Sequence, residues 1–303
     1  MVIHAGIVQT VPPVSDDYPQ LENRLYQHVR YLSEEIGERH HDNQAALEKT
    51  VEYIDGQFQQ MGYRTELQRI NGRNDVNIIS EIRGNKSPGL ILIIGAHYDS
   101  VWLSPGADDN ATGVAALLEI GRAFKNLSPG KTIRFIAFGN EEQPFSETED
   151  MGSYYYAKTV SGNRDVITGM FSLEMLGFYS SEKNSQNYPL LARWLYPDTA
   201  DFIAFISNFD SRPLLVKAIK SYSRHARVNA EGLVIHEKIL PDIRRSDHAS
   251  FWDHKIPAVM ITDTAEFRNM NYHSVGDVIE TLDFETMSSV VAALIPMFAK
   301  LAE

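Results

Sequence analysis

The chain has 303 residues, 43% of them apolar and 22% charged, enough for a sizeable core in one large α/β domain or two small ones. Its 40 acidic residues against 28 basic ones give a formal charge of −12, which argues against nucleic acid as a main partner, since phosphate neutralisation needs a basic face. An acidic cleft instead attracts divalent cations. The absence of cysteine excludes disulfides, thiolate metal sites and a cysteine nucleophile.

Along the chain, residues 1–18 carry no basic segment followed by a long apolar run, so no signal peptide is visible. The compartment stays open: cytoplasmic, or periplasmic or secreted if a leader was removed. Residues 21–36 place Leu21, Leu25, Val29, Leu32 and Ile36 on one helical stripe, and residues 45–61 do the same with Leu47, Val51, Ile54 and Phe58 before Gly62. The period then changes. Residues 77–82 and 90–96 read as strands around a turn at 84–89, and the apolar run 90–96 is too short to span a bilayer. No membrane partner is expected.

A helix is predicted over 111–126 and strands over 132–138, 168–173, 202–207 and 258–262, with further helices at 213–226 and 284–301. Continuously apolar strands alternating with helices predict a central, mostly parallel or mixed sheet flanked by helices on both faces, a single α/β domain with a helical segment at about 20–62 packed on it. Residues 179–199, rich in Ser, Asn, Tyr and Pro, read as a long loop and a candidate lid.

Chemistry-bearing residues gather where strands end. Strand 90–96 runs into His97 and Asp99, 132–138 into Glu141 and Glu142, and 168–173 into Glu174, while 258–262 is followed by a loop carrying His273. In an open α/β sheet, ligands collect outside the carboxyl ends of strands, so four segments can converge on one site. Asp99, two residues from His97 on extended backbone, faces the same side and can orient the imidazole. Asp108, Asp109 and Asn110 lie in a turn leading into a helix, where capping by Asp109 or Asn110 explains one of them but not all three. Glu141 and Glu142 face opposite ways, so one can hold a metal while the other serves as a general base. Glu174, between apolar neighbours, needs a cation or dense hydrogen bonding. His248, beside Ser246 and Asp247, is explained as well by a helix cap as by substrate contact, and Tyr154, Tyr155 and Tyr156 by helix packing.

Read in order, seven motifs resemble the M28 family of metallo-aminopeptidases and carboxypeptidases: GAHYDSV at 95–101, SPGADDNATG at 104–113, FGNEEQPF at 138–145, MGS at 151–153, SLEMLGFYS at 172–180, RRSDHASFW at 244–252 and NYHSVGD at 271–277. The resemblance runs from about residue 76 to the C-terminus and implies a phosphorylase/hydrolase-like fold. It implies a cocatalytic pair of Zn2+ ions held by His97, Asp108, Glu142, Glu174 and His273, with Asp108 bridging, His97 and Glu174 on the first metal, and Glu142 and His273 on the second. It implies that Glu141 is the general base and Asp99 the residue that orients His97. The implied reaction is hydrolysis of a peptide substrate, with release of N-terminal residues. The alternatives on this scaffold are glutaminyl-peptide cyclotransfer with a single zinc and a non-catalytic binding homologue. Many members carry Asp where this chain has Glu174, one methylene longer, and residues 143–150 form a longer insertion that could shape the substrate pocket.

Overall fold

The protein is described from a computed structural model covering residues 1–5, 18–162, 166–188 and 194–303. Its centre is a nine-stranded mixed sheet in the order β1-β8-β7-β9-β6-β4-β5-β3-β2. The strands are β1 (Val2–Ala5), β2 (Thr65–Arg69), β3 (Val76–Ile82), β4 (Ser87–His97), β5 (Lys131–Phe138), β6 (Val166–Glu174), β7 (Phe202–Ser207), β8 (Asn229–Val234) and β9 (Ala258–Thr262). The four central strands β5, β4, β6 and β9 pair in parallel, as do β7 and β8, while β9–β7, β8–β1, β5–β3 and β3–β2 are antiparallel. The predicted mixed sheet is therefore parallel at its centre, with antiparallel pairing at both edges and one further parallel pair, β7–β8, on the β1 side.

The central strands are apolar without alternation because both faces are covered. On one face lie α1 (Tyr18–Arg30), α2 (Gln44–Gln60), α3 (Gly113–Phe124), α5 (Arg212–Tyr222) and α7 (Phe284–Leu301), packed with Ile94, Phe135, Phe171, Phe205 and Ile261. On the other, α4 (Gly152–Val160) and α6 (His248–Asp253) pack with Ile93, Phe138 and Met170. The predicted stripe of the first helix is buried at Leu21, Leu25, Val29 and Leu32, although its last turn, Tyr31–Ile36, widens into a π-helix. Helix α2 starts where the Asn43 side chain accepts from Ala46 N at 3.3 Å, and α7 where Asp283 accepts from Thr286 N at 2.9 Å. Among the described residues, α7 alone is long and apolar enough to cross a membrane. Its Met287, Val290, Leu294 and Phe298 are buried in the core against α1, α3 and α5.

The sequence reading did not find β1, β2 and β8. β2 is an edge strand of mostly exposed polar residues, and β8 contains Gly232, which departs from strand preference. A Cβ at Gly232 would lie 2.6 Å from Ile219 Cδ1 and 3.0 Å from Ile3 Cβ, so the packing of α5 and β1 on either side selects glycine.

Helices α1 and α3 are tied by Glu119, whose carboxylate meets Arg24 Nε at 2.6 Å, Arg122 Nε at 2.8 Å and His28 Nε2 at 3.2 Å. Burial on its own raises this carboxyl's pKa, but the bonds to His28, Arg122 and Arg24 outweigh it and bring it from 4.5 to about 2. A depressed carboxylate stabilises the fold above its unfolded pKa, and the stabilisation disappears as pH falls toward the folded value. Glu119→Gln is therefore expected to lose about 2–3 kcal/mol of stability at neutral pH. The gap to the unmutated protein should narrow between pH 4.5 and about 2. Denaturant titrations across that range check it, and a gap independent of pH would assign the loss to packing instead.

Candidate metal centre

The carboxyl ends of β4, β5 and β6 and the loop after β9 meet at one edge of the sheet, as the strand-end pattern predicts. His97 is the last residue of β4 and Glu174 the last of β6. Glu141 and Glu142 follow β5, and His273 sits at φ 56° in the loop after β9. Asn140 (φ 59°) and Met175 (φ 49°), each beside a site carboxylate, are likewise held in the left-handed region. Such conformations persist in non-glycine residues only where the surroundings over-determine them.

Asp109 stands between the two histidines. Its Oδ1 is 3.3 Å from His97 Nε2, and its Oδ2 is 3.1 Å from His273 Nε2. Each histidine also meets one glutamate: His97 Nε2 lies 3.3 Å from Glu174 Oε1, and His273 Nε2 lies 3.3 Å from Glu142 Oε1. The five residues form two triads that share Asp109, each with ligand atoms within 4.8 Å of one another. Glu141 reaches a third such grouping with His97 and Glu142.

One expected residue is corrected. Asp108, the predicted bridge, is in neither triad. Its Oδ1 accepts from Gly177 N at 2.9 Å and its Oδ2 from Asn269 Nδ2 at 2.8 Å, while Thr112 Oγ1 donates to its backbone carbonyl at 2.7 Å. Neighbouring side chains in this turn point to opposite sides, so choosing the first Asp of the pair over the second reverses the assignment. Asn110 takes the capping role, accepting from Gly113 N at 3.1 Å at the start of α3 and from Met175 N at 3.0 Å.

Asp99 does more than face His97. Its Oδ1 lies 3.6 Å from His97 Nδ1, and its two carboxylate oxygens accept from Glu141 N at 3.1 Å and Glu142 N at 3.0 Å. Asp277 holds the opposite loop in the same way, accepting from Asp108 N at 2.8 Å and Asp109 N at 3.1 Å. Glu174 does not pair with Arg134, which is bound to Glu81 and Tyr156, and Arg193 lies outside the described residues. Glu174 instead accepts from Ser246 Oγ at 2.6 Å. The motif around Ser246 is visible in the sequence, where a helix cap by Ser246 or Asp247 and a substrate contact explain it equally well, but its bond to Glu174 is not. His248 is fully buried, bonded to Ile243 O at 2.7 Å, and burial pushes it down to about 3, so it sits neutral in the core.

Arg39, which no motif marked, organises the site from the N-terminal segment. Its side chain is fully buried and its guanidinium donates to five carbonyls, those of Leu32, Gly37, Tyr98, Pro105 and Gly106, at 2.7–2.9 Å. Three of these carbonyls flank the site in sequence, Tyr98 between His97 and Asp99, and Pro105 and Gly106 just before Asp108 and Asp109. Gly106, at φ 62°, leaves the room: a Cβ there would lie 2.6 Å from Arg39 Nη2 and 2.5 Å from Asp109 O.

Electrostatically the centre is a buried excess of negative charge. Burial raises the carboxyl of Glu141 well above its ordinary range and that of Glu142 to about 7. His97 and His273 are desolvated, yet the carboxylates around them raise the first well above its ordinary value and the second to about 10. Asp109 Oδ1 and Glu142 Oε1 are buried with no hydrogen-bond donor. Two imidazoles, three carboxylates and unsatisfied buried oxygens form a donor set that fits divalent zinc, and no thiolate is needed.

Both the sequence and the fold are similar to those of known proteins. The profile of Peptidase family M28 matches residues 77–297. The chain is 36% identical over 289 residues to the uncharacterized protein YfbL of Escherichia coli K12, covering 90% of this chain and 86% of that one. It is 36% identical over 135 residues to aminopeptidase YwaD of Bacillus subtilis, but that match covers 43% of this chain and only 28% of YwaD. The fold superposes on BSAP, a zinc aminopeptidase from Bacillus subtilis, with a TM-score of 0.73 at 17% identity, over 93% of this chain and 95% of that one.

Proposed function

The chain belongs to peptidase family M28, and from that membership we propose that it is a zinc-dependent exopeptidase that releases N-terminal residues from peptides. The observation that carries the reading is Asp109, which presents one carboxylate oxygen to each of two histidines that in turn each meet a glutamate. His97, Asp109 and Glu174 would hold one zinc, and Asp109, Glu142 and His273 a second. The zinc aminopeptidase BSAP supports the choice of metal and reaction.

Bound zinc supplies a water of lowered pKa and an electrophile for the scissile carbonyl. Everything else comes from the chain. Glu141, whose buried carboxyl borders His97 and Glu142, takes the proton of the attacking water and delivers it to the leaving amine. Asp99 orients the His97 ring, with its backbone carbonyl 3.2 Å and its Oδ1 3.6 Å from Nδ1, and through the backbone of Glu141 and Glu142 sets the distance between base and ligands. Ser246 holds the second oxygen of Glu174, restricting the extra rotatable bond that glutamate has over aspartate.

Hydrolysis of aminoacyl anilides tests the reading. Strong chelation is expected to abolish it and zinc to restore it. Undiminished turnover by protein shown to be metal-free by elemental analysis would overturn the reading. Adding a peptide with N-terminal glutamine to the panel separates hydrolysis from cyclotransfer, because cyclisation releases ammonia and leaves the peptide bonds intact.

A further inference from the structure

Beside the metal centre the sheet forms the floor of a trough. Pairing places Glu174, Thr262, Ala204, Glu231 and His4 in one transverse row, on β6, β9, β7, β8 and β1. A second row, Met260, Ile206 and Leu233, runs alongside it on the same face and is apolar. Thr262 and Ala204 are the small members of the first row. They leave open space between the two glutamates, so Glu174 and Glu231 both line the cavity. Tyr188 and Tyr196, stacked with ring centroids 5.7 Å apart, wall it together with Phe267 and Tyr272. The insertion at 143–150 contributes none of the described lining residues, contrary to expectation. Its Phe145 packs instead under Arg73 and against His41.

Glu231 is the conspicuous feature of this trough. A carboxylate on an apolar floor is expensive unless it is paired. His4 Nδ1 meets it at 2.6 Å, but from β1, on the side of β8 away from the trough. Among the described lining residues Arg245 is the one cation, and it is engaged at the rim by Asp242 at 2.9 Å and by Glu266. At its far end the trough thus offers a carboxylate whose described partner is the imidazole of His4, a residue outside the trough's own lining.

We propose that the trough receives the side chain of the substrate's N-terminal residue and that Glu231 selects lysine or arginine there. The inference rests on the exopeptidase reading and adds a substrate class to it. Neighbouring strands are about 4.8 Å apart, so Glu231 stands roughly 14 Å from Glu174 along the row. A leucine side chain beside Glu174 ends within about one strand spacing of its own Cα. The four-carbon stem of lysine, or the longer arginine, lies along Thr262, Ala204 and the apolar row and carries its charge on toward Glu231.

The test compares kcat/KM for lysyl, arginyl, norleucyl and leucyl anilides with the zinc-loaded protein. Norleucine matches the lysine stem without its charge. Lysine is expected to exceed norleucine by about tenfold or more, and Glu231→Gln to lower the lysine-to-norleucine ratio by about 10–100-fold, as loss of a charged hydrogen bond predicts. Glu231→Asp keeps the charge but withdraws it by one methylene, so it is expected to shift preference from lysine toward the longer arginine. That shift decides the matter even if the Gln variant fails to fold. Equal rates for lysine and norleucine in the unmutated protein, or ratios unchanged in both variants, would overturn the role of Glu231. Failure to cleave any of the four substrates would instead overturn the exopeptidase reading beneath it.

Discussion

Glu141→Gln is expected to reduce turnover by about 10²–10⁴-fold while leaving zinc content near that of the unmutated protein. Glutamine preserves the shape of the side chain and removes only its capacity to take a proton. The position of residue 141 does not depend on that side chain, because its backbone N–H is held by Asp99 Oδ1 at 3.1 Å. The loop that carries Glu142 therefore survives the substitution. Metal analysis alongside steady-state kinetics makes the outcome decisive. Glu141 also lies close enough to His97 and Glu142 to serve as a ligand, so loss of one zinc equivalent in this variant would mean that Glu141 and Glu142 have exchanged roles.

The sequence made most of this centre legible because metal chemistry at a sheet edge leaves a local trace. Each ligand-bearing strand is an apolar run that stops at an ionisable residue, and four such stops needed only a shared sheet to become a site. His97, Glu141, Glu142 and Glu174 stand at or just after such stops and His273 in a loop beyond one, and the structure brings their side chains together; which of Glu141 and Glu142 is a ligand is implied by the family resemblance and not by the pattern. What stayed hidden depends on direction or on distance along the chain. Whether Asp108 or Asp109 faces the histidines is decided by the conformation of a single turn, which composition does not reveal. Arg39 reaches carbonyls up to 67 residues away and carries no motif of its own. Its partners are backbone atoms, so no complementary residue type points to it. The row from Glu174 to Glu231 exists only through strand pairing, and two of its five strands, β1 and β8, were too short or too irregular in pattern to be recognised.

The exchange of Asp108 for Asp109 leads to the sharpest contrast between neighbouring residues. Asp109→Asn removes the one carboxylate shared by both triads, so it is expected to lower zinc content below two equivalents and to abolish activity at ordinary zinc concentrations. The fall should exceed the roughly 10–100-fold seen when a metal ligand merely loses its hydrogen-bond partner. Asp108→Asn is expected to act on the fold instead. Both carboxylate oxygens of Asp108 accept hydrogen bonds, from Gly177 N and from Asn269 Nδ2, and an amide must turn its NH2 toward one of those donors. A lost buried hydrogen bond with two donors opposed costs about 1–3 kcal/mol, read as a melting temperature lower by a few degrees, with zinc stoichiometry intact. Calorimetric zinc titration of both apo-variants, paired with thermal melts, separates the two effects. If Asp108→Asn sheds metal while Asp109→Asn keeps both equivalents, the bridge belongs to Asp108 after all, and the turn that carries the pair must rotate when metal binds.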